Sequence, residues 1–187
     1  MTVYFSADLH FFHGNIIRLA NRPFADVNAM NEGLIEAHNS VVTNDDIVWY
    51  LGDISFNKGN ALQNADLVSR LNGKEKHVIL GNHDHRQMLS KCGFTSIHDG
   101  VVHQTFEVDG KRYPFVLGHY PMREWAGFWH NAIHLYGHVH GNLPGYCRSM
   151  DVGVDTGNDY KPYSIEDIIT RFDGVKNEHR KPDVHND

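Results

Sequence analysis

The chain places aspartate, asparagine and histidine side chains at the ends of several short apolar runs. One of these polar segments, LGNHDH at residues 80–85, comes at the end of the run KHVIL. Burying polar groups at the end of a core strand costs free energy unless the groups find partners. Segments of the same kind supply Asp8, His10, Asp53, Asn82, His83, His119, His138 and His140.

The chemistry shared by these side chains is metal ligation. Carboxylates, imidazoles and an amide oxygen bind divalent first-row metals such as Mn, Ni, Fe or Zn. No cysteine lies in the segments, which argues against a structural zinc finger. Residues two apart in an extended chain point the same way, so Asp8 and His10 can serve one ion, as can His138 and His140. There are more candidate ligands than a single ion can coordinate. Two ions that share one carboxylate ligand would account for the number.

A pair of divalent ions about 4 Å apart is a catalytic arrangement for phosphate esters. The two ions acidify a shared water to hydroxide, bind the non-bridging phosphate oxygens and neutralise charge in an in-line displacement. A histidine has an ordinary pKa of about 6.5, close to the working pH. His83 is therefore our candidate for the general acid that protonates the leaving oxygen.

Strand and helix patterns alternate along the chain and must position these groups. Strand-like runs cover residues 3–10, 47–53, 77–84, 114–120, 133–140 and 149–155, and helical patterns cover 15–22, 28–42, 60–72, 85–93 and 163–172. A hairpin is predicted over 105–117 around Asp109-Gly110. Alternating strands and helices indicate an α/β layered domain, in which ligands collect beyond the carboxyl ends of strands. The polar segments are therefore expected to converge.

Length and composition indicate one globular unit. The chain has 187 residues, of which 41% are hydrophobic and 21% are charged, which is ordinary for a globular domain. We expect a single domain over residues 1–172, followed by a flexible polar tail over 173–187, because the last stretch has almost no apolar content. The formal net charge of -6 argues against an extended surface for duplex DNA, which needs a basic face. It leaves room for a nucleotide or a short single strand bound locally.

Targeting signals are absent from the sequence pattern. No apolar run approaches the roughly 18 residues of a membrane span, so no membrane partner is expected. The N-terminal segment MTVYFSADLH lacks the basic and long apolar parts of a secretion signal. The two cysteines give no disulfide framework, and we expect a cytoplasmic protein.

Five short motifs follow one another between residues 8 and 140. They are DLH (8–10), GD (52–53), GNHD (81–84), GH (118–119) and GHVH (137–140). In this order they resemble the motifs of the calcineurin-like metallophosphoesterase superfamily. The segment DLHFFHGNIIRLANRPF is similar to the start of small bacterial and phage phosphoesterases that open with a DLHFGH-type motif.

The resemblance implies a fold and a set of roles. The fold would be α/β, with two mixed β-sheets packed face to face and helices on both outer sides, a four-layer αββα sandwich. Asp53 would bridge two metal ions, and His83 would be the general acid. The first ion would be held by Asp8, His10, Asp53 and His140, and the second by Asp53, Asn82, His119 and His138.

The chain departs from the superfamily pattern in two places. Protein Ser/Thr phosphatases of this superfamily follow Gly-Asp with Tyr-Val-Asp-Arg-Gly, whereas this chain has Phe56 and Asn57 at the positions of that aspartate and arginine. This argues against a protein phosphatase and leaves His83 without its usual orienting carboxylate. Phe12 replaces the usual glycine of the DLHFGH motif, which leaves the role of His13 open.

Candidate substrate contacts are fewer and rest on chemistry alone. A guanidinium suits phosphate because it donates two parallel hydrogen bonds, and histidines beside the motifs could also reach a substrate. The candidates are His13, Arg22, His85 and Arg86. The segment EWAGFW carries three aromatic rings after His119, which we interpret either as core packing or as a base-stacking rim over the metals.

The sequence therefore predicts a dinuclear metal-dependent phosphoesterase. Its substrate would be a small phosphate ester, foremost a phosphodiester of nucleotide type, attacked by a metal-bridged hydroxide with His83 as acid. A metal-dependent nuclease that acts on short or single-stranded nucleic acid is the alternative. A noncatalytic metal-binding scaffold on the same fold is a third reading.

Overall fold

The computed structural model describes residues 1–57 and 59–179, which form a mixed α/β structure with two β-sheets. The strands are β1 (Val3–Ser6), β2 (Ile47–Tyr50), β3 (Glu75–Ile79), β4 (Ser96–His98), β5 (Val101–Val108), β6 (Lys111–Gly118), β7 (Ile133–Tyr136), β8 (Ser149–Asp151) and β9 (Tyr163–Ser164). The helices are α1 (Gly14–Leu19), α2 (Val27–Asn39), α3 (Ala61–Ser69), α4 (Arg86–Leu89) and α5 (Ile165–Arg171), with a 3-10 turn at Phe128–His130. The predicted α/β class is confirmed.

The first sheet has five strands in the order β4-β3-β2-β1-β9. Strands β1 to β4 run parallel to one another, and β9 is antiparallel to β1. The parallel strands are added in one direction along the sheet, so right-handed crossovers bring their connecting helices to a single face. Residues of α1 to α4 accordingly share one core with Val48, Tyr50 and Val78 of β2 and β3.

The second sheet has four strands in the order β5-β6-β7-β8. Strands β5 and β6 form the predicted hairpin, and β6, β7 and β8 are parallel. Asp109 and Gly110 both have positive φ, of 51° and 73°, which a type I′ turn between twisted strands requires. The hairpin begins at Val101, earlier than the sequence pattern predicted.

The two sheets share a core. Side chains alternate along a strand, so Phe5 and Leu51 point away from α1 to α4 and join Phe115 and Leu135 of the second sheet. The Phe5 ring stacks on Phe115 with centroids 5.7 Å apart and meets the edge of Phe106 at 5.6 Å. Residues of α5 complete this core.

Two further features of the sheets differ from the sequence expectations. Strands end earlier than predicted, and the polar segments lie in the loops after them; β3, for example, ends at Ile79. The two edge strands of the first sheet, β4 and β9, were not predicted because they have three and two residues and carry no apolar run.

The C-terminal segment also differs from the expected tail in its described part. Asn177 is buried, and its side-chain amide donates hydrogen bonds to the carbonyls of Phe128 and Ala132 at 3.0 and 2.8 Å. Its amide oxygen accepts from the backbone N–H of Arg148 at 2.8 Å. Residues 173–179 thus pack against the domain, and the remainder of the predicted tail, 180–187, lies outside the described residues.

Among residues 1–57 and 59–179, none of the helices has the length and apolar character that spanning a bilayer requires.

The shared core gives a stability prediction. Phe5→Ala removes a fully buried ring that contacts both sheets, and it should lower the free energy of unfolding of the metal-free protein by about 3–5 kcal/mol. Leu62→Ala on α3, where the side chain is 83% exposed, should change it by less than about 0.5 kcal/mol. Urea denaturation of both variants measures the difference, and equal midpoints would contradict the packing of the two sheets.

Candidate metal centre

The loops that follow β1, β2, β6 and β7 bring six candidate ligands together in two groups. The first group is Asp8, His10 and His140, and the second is Asp53, His119 and His138. Within each group the potential ligand atoms all lie within 4.8 Å of one another. Carboxylate oxygen and imidazole nitrogen at such separations are a donor set that a divalent transition metal can use.

Asp53 links the two groups. Its Oδ2 lies 3.5 Å from Nε2 of His10 in the first group and 3.5 Å from Nε2 of His119 in the second. The side-chain oxygen of Asn82 lies 3.0 Å from Nε2 of His119 and 3.0 Å from Nδ1 of His138. Asp53 therefore occupies the position of a shared ligand, and Asn82 belongs with the second group.

The backbone at these residues is left-handed. Asp8, His10, Asp53, His138 and His140 have φ values of 58°, 51°, 56°, 72° and 49°, a conformation that is uncommon outside glycine. Such residues cost of order 1–3 kcal/mol each and cluster at functional sites. The expectation that an extended chain aims Asp8 and His10 together is wrong in its geometry, because turns at each residue bring the side chains together.

Outer hydrogen bonds fix which ring nitrogen faces the centre. His119 donates from Nδ1 to the carbonyl of Leu51 at 2.8 Å, and His140 donates from Nδ1 to Asp155 at 2.7 Å. Each ring then presents Nε2 to the cluster. Orientation of ligating histidines by such partners is usual in metal sites.

Arg22 has a structural role, and its predicted contact with substrate is wrong. Its guanidinium donates to both carboxylate oxygens of Asp155 at 2.8 Å and to the carbonyls of Asp8 and Leu9 at 2.7 and 2.9 Å. The side chain is 0% exposed. Arg22 therefore orders the first motif and the acceptor of His140, and it cannot reach a phosphate.

Asp84 is a clamp between two motifs. Its carboxylate accepts from the backbone N–H groups of Asp53, Ile54 and Gly81 at 2.8, 2.9 and 2.9 Å. It therefore points away from His83, the neighbouring residue in the chain.

His83 lies at the edge of the first group. Its backbone N–H donates to Oδ1 of Asp53 at 2.9 Å. Its ring centroid is 5.4 Å from that of His10, 6.3 Å from that of His13 and 5.1 Å from that of Phe56. The ring is half-buried beside the candidate ligands, where a general acid would have to stand.

The remaining candidate substrate contacts are the half-buried His13, beside His10 and His83, and the exposed residues His85 and Arg86. The His13 ring stacks on Phe56 at 4.0 Å, and its Nδ1 is 3.4 Å from Nδ1 of His10. His85 and Arg86 line an open cleft with Lys91. Arg86 also donates to Asp99 at 2.6 Å, so its guanidinium is partly engaged.

The electrostatics of the cluster suit a cation. Burial raises the pKa of Asp8 well above its usual value; His140 acts against this shift, and the nearby carboxylates of Asp151 and Asp53 add to it. Burial, together with the neighbouring His140, lowers the pKa of His10 to about 2. Burial also lowers the pKa of His119. Neutral imidazoles are the form that ligates metals.

Two ligand atoms of the first group are buried without a hydrogen bond. Within the described ranges, Oδ1 of Asp8 and Nε2 of His10 have no hydrogen-bond partner. Buried polar atoms without a partner are rare in folded proteins, and a bound ion would satisfy both of these atoms. The residues present therefore fit a metal, and the two Asp/His groups could hold metal ions.

Glycines leave the space that the carboxylates occupy. A Cβ on Gly137 would lie 2.7 Å from Oδ2 of Asp8, and a Cβ on Gly81 would collide with the carboxylate of Asp53. Any larger residue at these positions would displace a candidate ligand.

Two aspartates that accept hydrogen bonds around the ligand groups, Asp151 and Asp155, were not predicted from the sequence. Asp155 accepts hydrogen bonds from the side chains of His140 and Arg22. Asp151 accepts hydrogen bonds from the backbone N–H groups of Gly141 and Gly153 at 2.8 and 2.7 Å. Both aspartates lie in SMDVGVD, which was predicted as a strand. The rule used for the other runs, a polar residue at the end of an apolar segment, would have found Asp155.

The aromatic segment after His119 is mainly core. Trp125 and Phe128 are buried against Val116 and Ala132, so the interpretation as a base-stacking rim is wrong for these two rings. Trp129 is exposed and contacts Phe128 and His179.

Comparisons with known proteins identify both sequence relatives and a structural relative. No family model matches the chain. The chain is 36% identical over 174 residues to the uncharacterized protein MJ1445 of Methanocaldococcus jannaschii, with 89% of each chain covered. It is 39% identical over 82 residues to the gene 66 protein of Mycobacterium phage L5, covering 43% of this chain and 39% of that protein. A crystal structure of a protein of unknown function, AQ665 from Aquifex aeolicus, matches with a TM-score of 0.69 at 26% identity, covering 91% of this chain and 98% of that chain.

The position of Asp53 gives a metal-binding prediction. Asp53→Asn should weaken binding of both ions, because its carboxylate contacts both groups, whereas His10→Ala should weaken only the first. We would measure Mn²⁺ and Zn²⁺ stoichiometry by elemental analysis after dialysis, with the exposed His103→Ala as a control. Retention of two tightly bound ions by Asp53→Asn would contradict the shared position.

Proposed function

This chain belongs to the same protein family as the archaeal protein MJ1445, and from the site that it carries we propose that it is a dinuclear metal-dependent phosphoesterase of the calcineurin-like metallophosphoesterase superfamily. The observation that carries the proposal is the pair of Asp/His groups that meet at the Asp53 carboxylate. The five motifs in their order supply the separate, sequence-based support.

The four-layer sandwich of that superfamily is part of the same proposal. Its support is the core shared by the two sheets and the packing of α1 to α4 against the other face of the five-stranded sheet. On the second sheet, Trp125 and Phe128 pack over Val116, in the place where an outer layer would lie.

Two divalent ions would be held by the ligand sets that the resemblance implies, and the two Asp/His groups with Asp53 between them support these sets. Mn, Ni, Fe and Zn all accept such mixed nitrogen and oxygen donors. When bound, the ions would supply Lewis-acid activation of water and neutralise charge on the phosphate. The first set is Asp8, His10, Asp53 and His140, and the second is Asp53, Asn82, His119 and His138.

His83 would give its ring proton to the leaving oxygen. Its backbone is tied to Asp53, so its distance from the reacting phosphate would be set by the same carboxylate that links the two ligand groups. Phe56 and His13 flank the ring and limit its movement. A positioned acid of this kind accelerates bond cleavage by about 10²–10⁴-fold.

A small diester is the proposed substrate. A diester carries one negative charge and is repelled less than a monoester by a chain of net charge -6. Arg22 is fully used by Asp155 and backbone carbonyls, so it cannot bind the extra charge of a monoester. His13, His85 and Arg86 are the proposed outer contacts, and a nucleotide ester is the proposed class.

The alternative function, a nuclease on short or single-stranded nucleic acid, has one observation in its favour. An open cleft is lined by His85, Arg86 and Lys91, which come soon after the GNHD motif in the sequence. This cleft could bind a second phosphate. Binding of a strand through several phosphates would make the rate fall steeply with salt.

Metal dependence tests the proposed function. Protein stripped with a chelator should lose nearly all hydrolysis of bis(4-nitrophenyl) phosphate, and added Mn²⁺, Ni²⁺ or Zn²⁺ should restore it. Full activity in protein verified to be metal-free would refute the proposal. A steep salt dependence together with efficient cleavage of an oligonucleotide would favour the nuclease.

The role of His83 gives a leaving-group prediction. His83→Asn should slow release of a ribose alkoxide by about 10²–10⁴-fold but slow release of nitrophenolate far less, because a weakly basic oxygen leaves without a proton donor. Its metal content should equal that of the parent, since Asn82 and not His83 is the proposed ligand. The exposed His103→Asn serves as the control. Equal slowing on both substrates would argue against the acid role, and loss of metal would place His83 among the ligands.

A further inference from the structure

Tyr120 packs against the two histidines of the second ligand group. Tyr120 follows His119 in the chain, and its ring centroid lies 5.0 Å from that of His119 and 4.6 Å from that of His138. The interplanar angles are 70° and 67°, so the contacts are edge-to-face. Although the Tyr120 ring contacts both His119 and His138, Tyr120 is 52% exposed. A large part of an aromatic ring at the metal centre is therefore open to a bound molecule.

The ring lies at the end of the centre away from the proposed acid. Contacts run from His83 to His10, from His10 through the Asp53 carboxylate to His119, and from His119 to Tyr120. The leaving oxygen must lie near His83. A phosphodiester placed between the two groups would then direct its other substituent, which stays on the phosphate, toward Tyr120.

We infer that Tyr120 is a specificity-determining residue. Its ring would stack on a nucleobase that belongs to the substituent that stays on the phosphate after the leaving group departs. This inference rests on the proposed function, because that function places the phosphate between the two groups. Stacking on an aromatic side chain suits any base, since every base has a π-face. The site would thereby prefer nucleoside esters to simple alkyl esters without reading the identity of the base.

A binding comparison tests the role without catalysis. The probes are thymidine 5′-phosphate and methyl phosphate, two monoesters of equal charge, titrated calorimetrically into the Mn²⁺-loaded protein. The parent should bind the nucleoside phosphate about 5- to 100-fold more tightly. Tyr120→Ala should abolish this preference, and Tyr120→Phe should keep it.

The matched control is Trp129→Ala. Trp129 is likewise exposed, at 62%, but contacts Phe128 and His179 rather than a candidate ligand, so its loss should leave the preference intact. Metal content is measured for every variant. If Tyr120→Ala weakens both probes equally or loses metal, the ring supports His119 and His138 and does not select the substrate. If the parent shows no preference, the inference fails.

A rate comparison separates this inference from the proposed function. Methyl 4-nitrophenyl phosphate and thymidine 5′-(4-nitrophenyl) phosphate share a leaving group and differ only in the retained substituent. Tyr120→Ala should raise KM for the nucleoside ester by about 5- to 100-fold and leave KM for the methyl ester nearly unchanged. Hydrolysis of neither ester by the metal-loaded parent would refute the phosphoesterase, and the binding comparison would still decide the role of Tyr120.

Discussion

The packing of the two sheets against each other is the constraint on which the candidate metal centre depends. The first ligand group combines Asp8, after β1, with His140, after β7, and the second combines Asp53, after β2, with His119, after β6. Neither sheet alone contains a complete group. The two sheets are also joined by a direct hydrogen bond: the backbone N–H of His138 donates to Oδ2 of Asp8 at 2.7 Å. The core around Phe5, three residues before Asp8, therefore sets the geometry of the centre.

This arrangement brings several buried carboxylates close together. Other groups of the chain compensate their negative charge in part. Buried Arg22 neutralises Asp155, and backbone N–H groups satisfy Asp84 and Asp151. Asp8 remains under-compensated, with one oxygen lacking a hydrogen bond in the described chain and a raised pKa caused chiefly by burial. Because cations would relieve both defects, metal binding and folding of this region should be thermodynamically coupled.

The sequence was informative about residues whose roles depend on their own type and on their neighbours along the chain. It was uninformative about roles that depend on contacts between residues far apart in the chain. Residue types at the ends of apolar runs were enough to select all six residues of the two groups, together with Asn82 and His83. The role of Arg22 was misjudged because its partner Asp155 lies 133 residues away, and nothing in the sequence pairs them. The edge strands β4 and β9 escaped prediction because only pairing with neighbouring strands defines them.

Backbone geometry explains why the motifs have the composition they have. A left-handed aspartate or histidine persists only where its surroundings hold it, and here the motifs hold one another. The N–H of Asp53 is bound by Asp84, and the N–H of His138 is bound by Asp8. Gly81 and Gly137 leave room for the carboxylates of Asp53 and Asp8. The GNHD and GHVH motifs thus each combine a candidate ligand, a glycine that makes space for a carboxylate of another motif, and a hydrogen bond to that motif. Contacts of this kind between short segments that lie far apart in the chain determine how the centre closes.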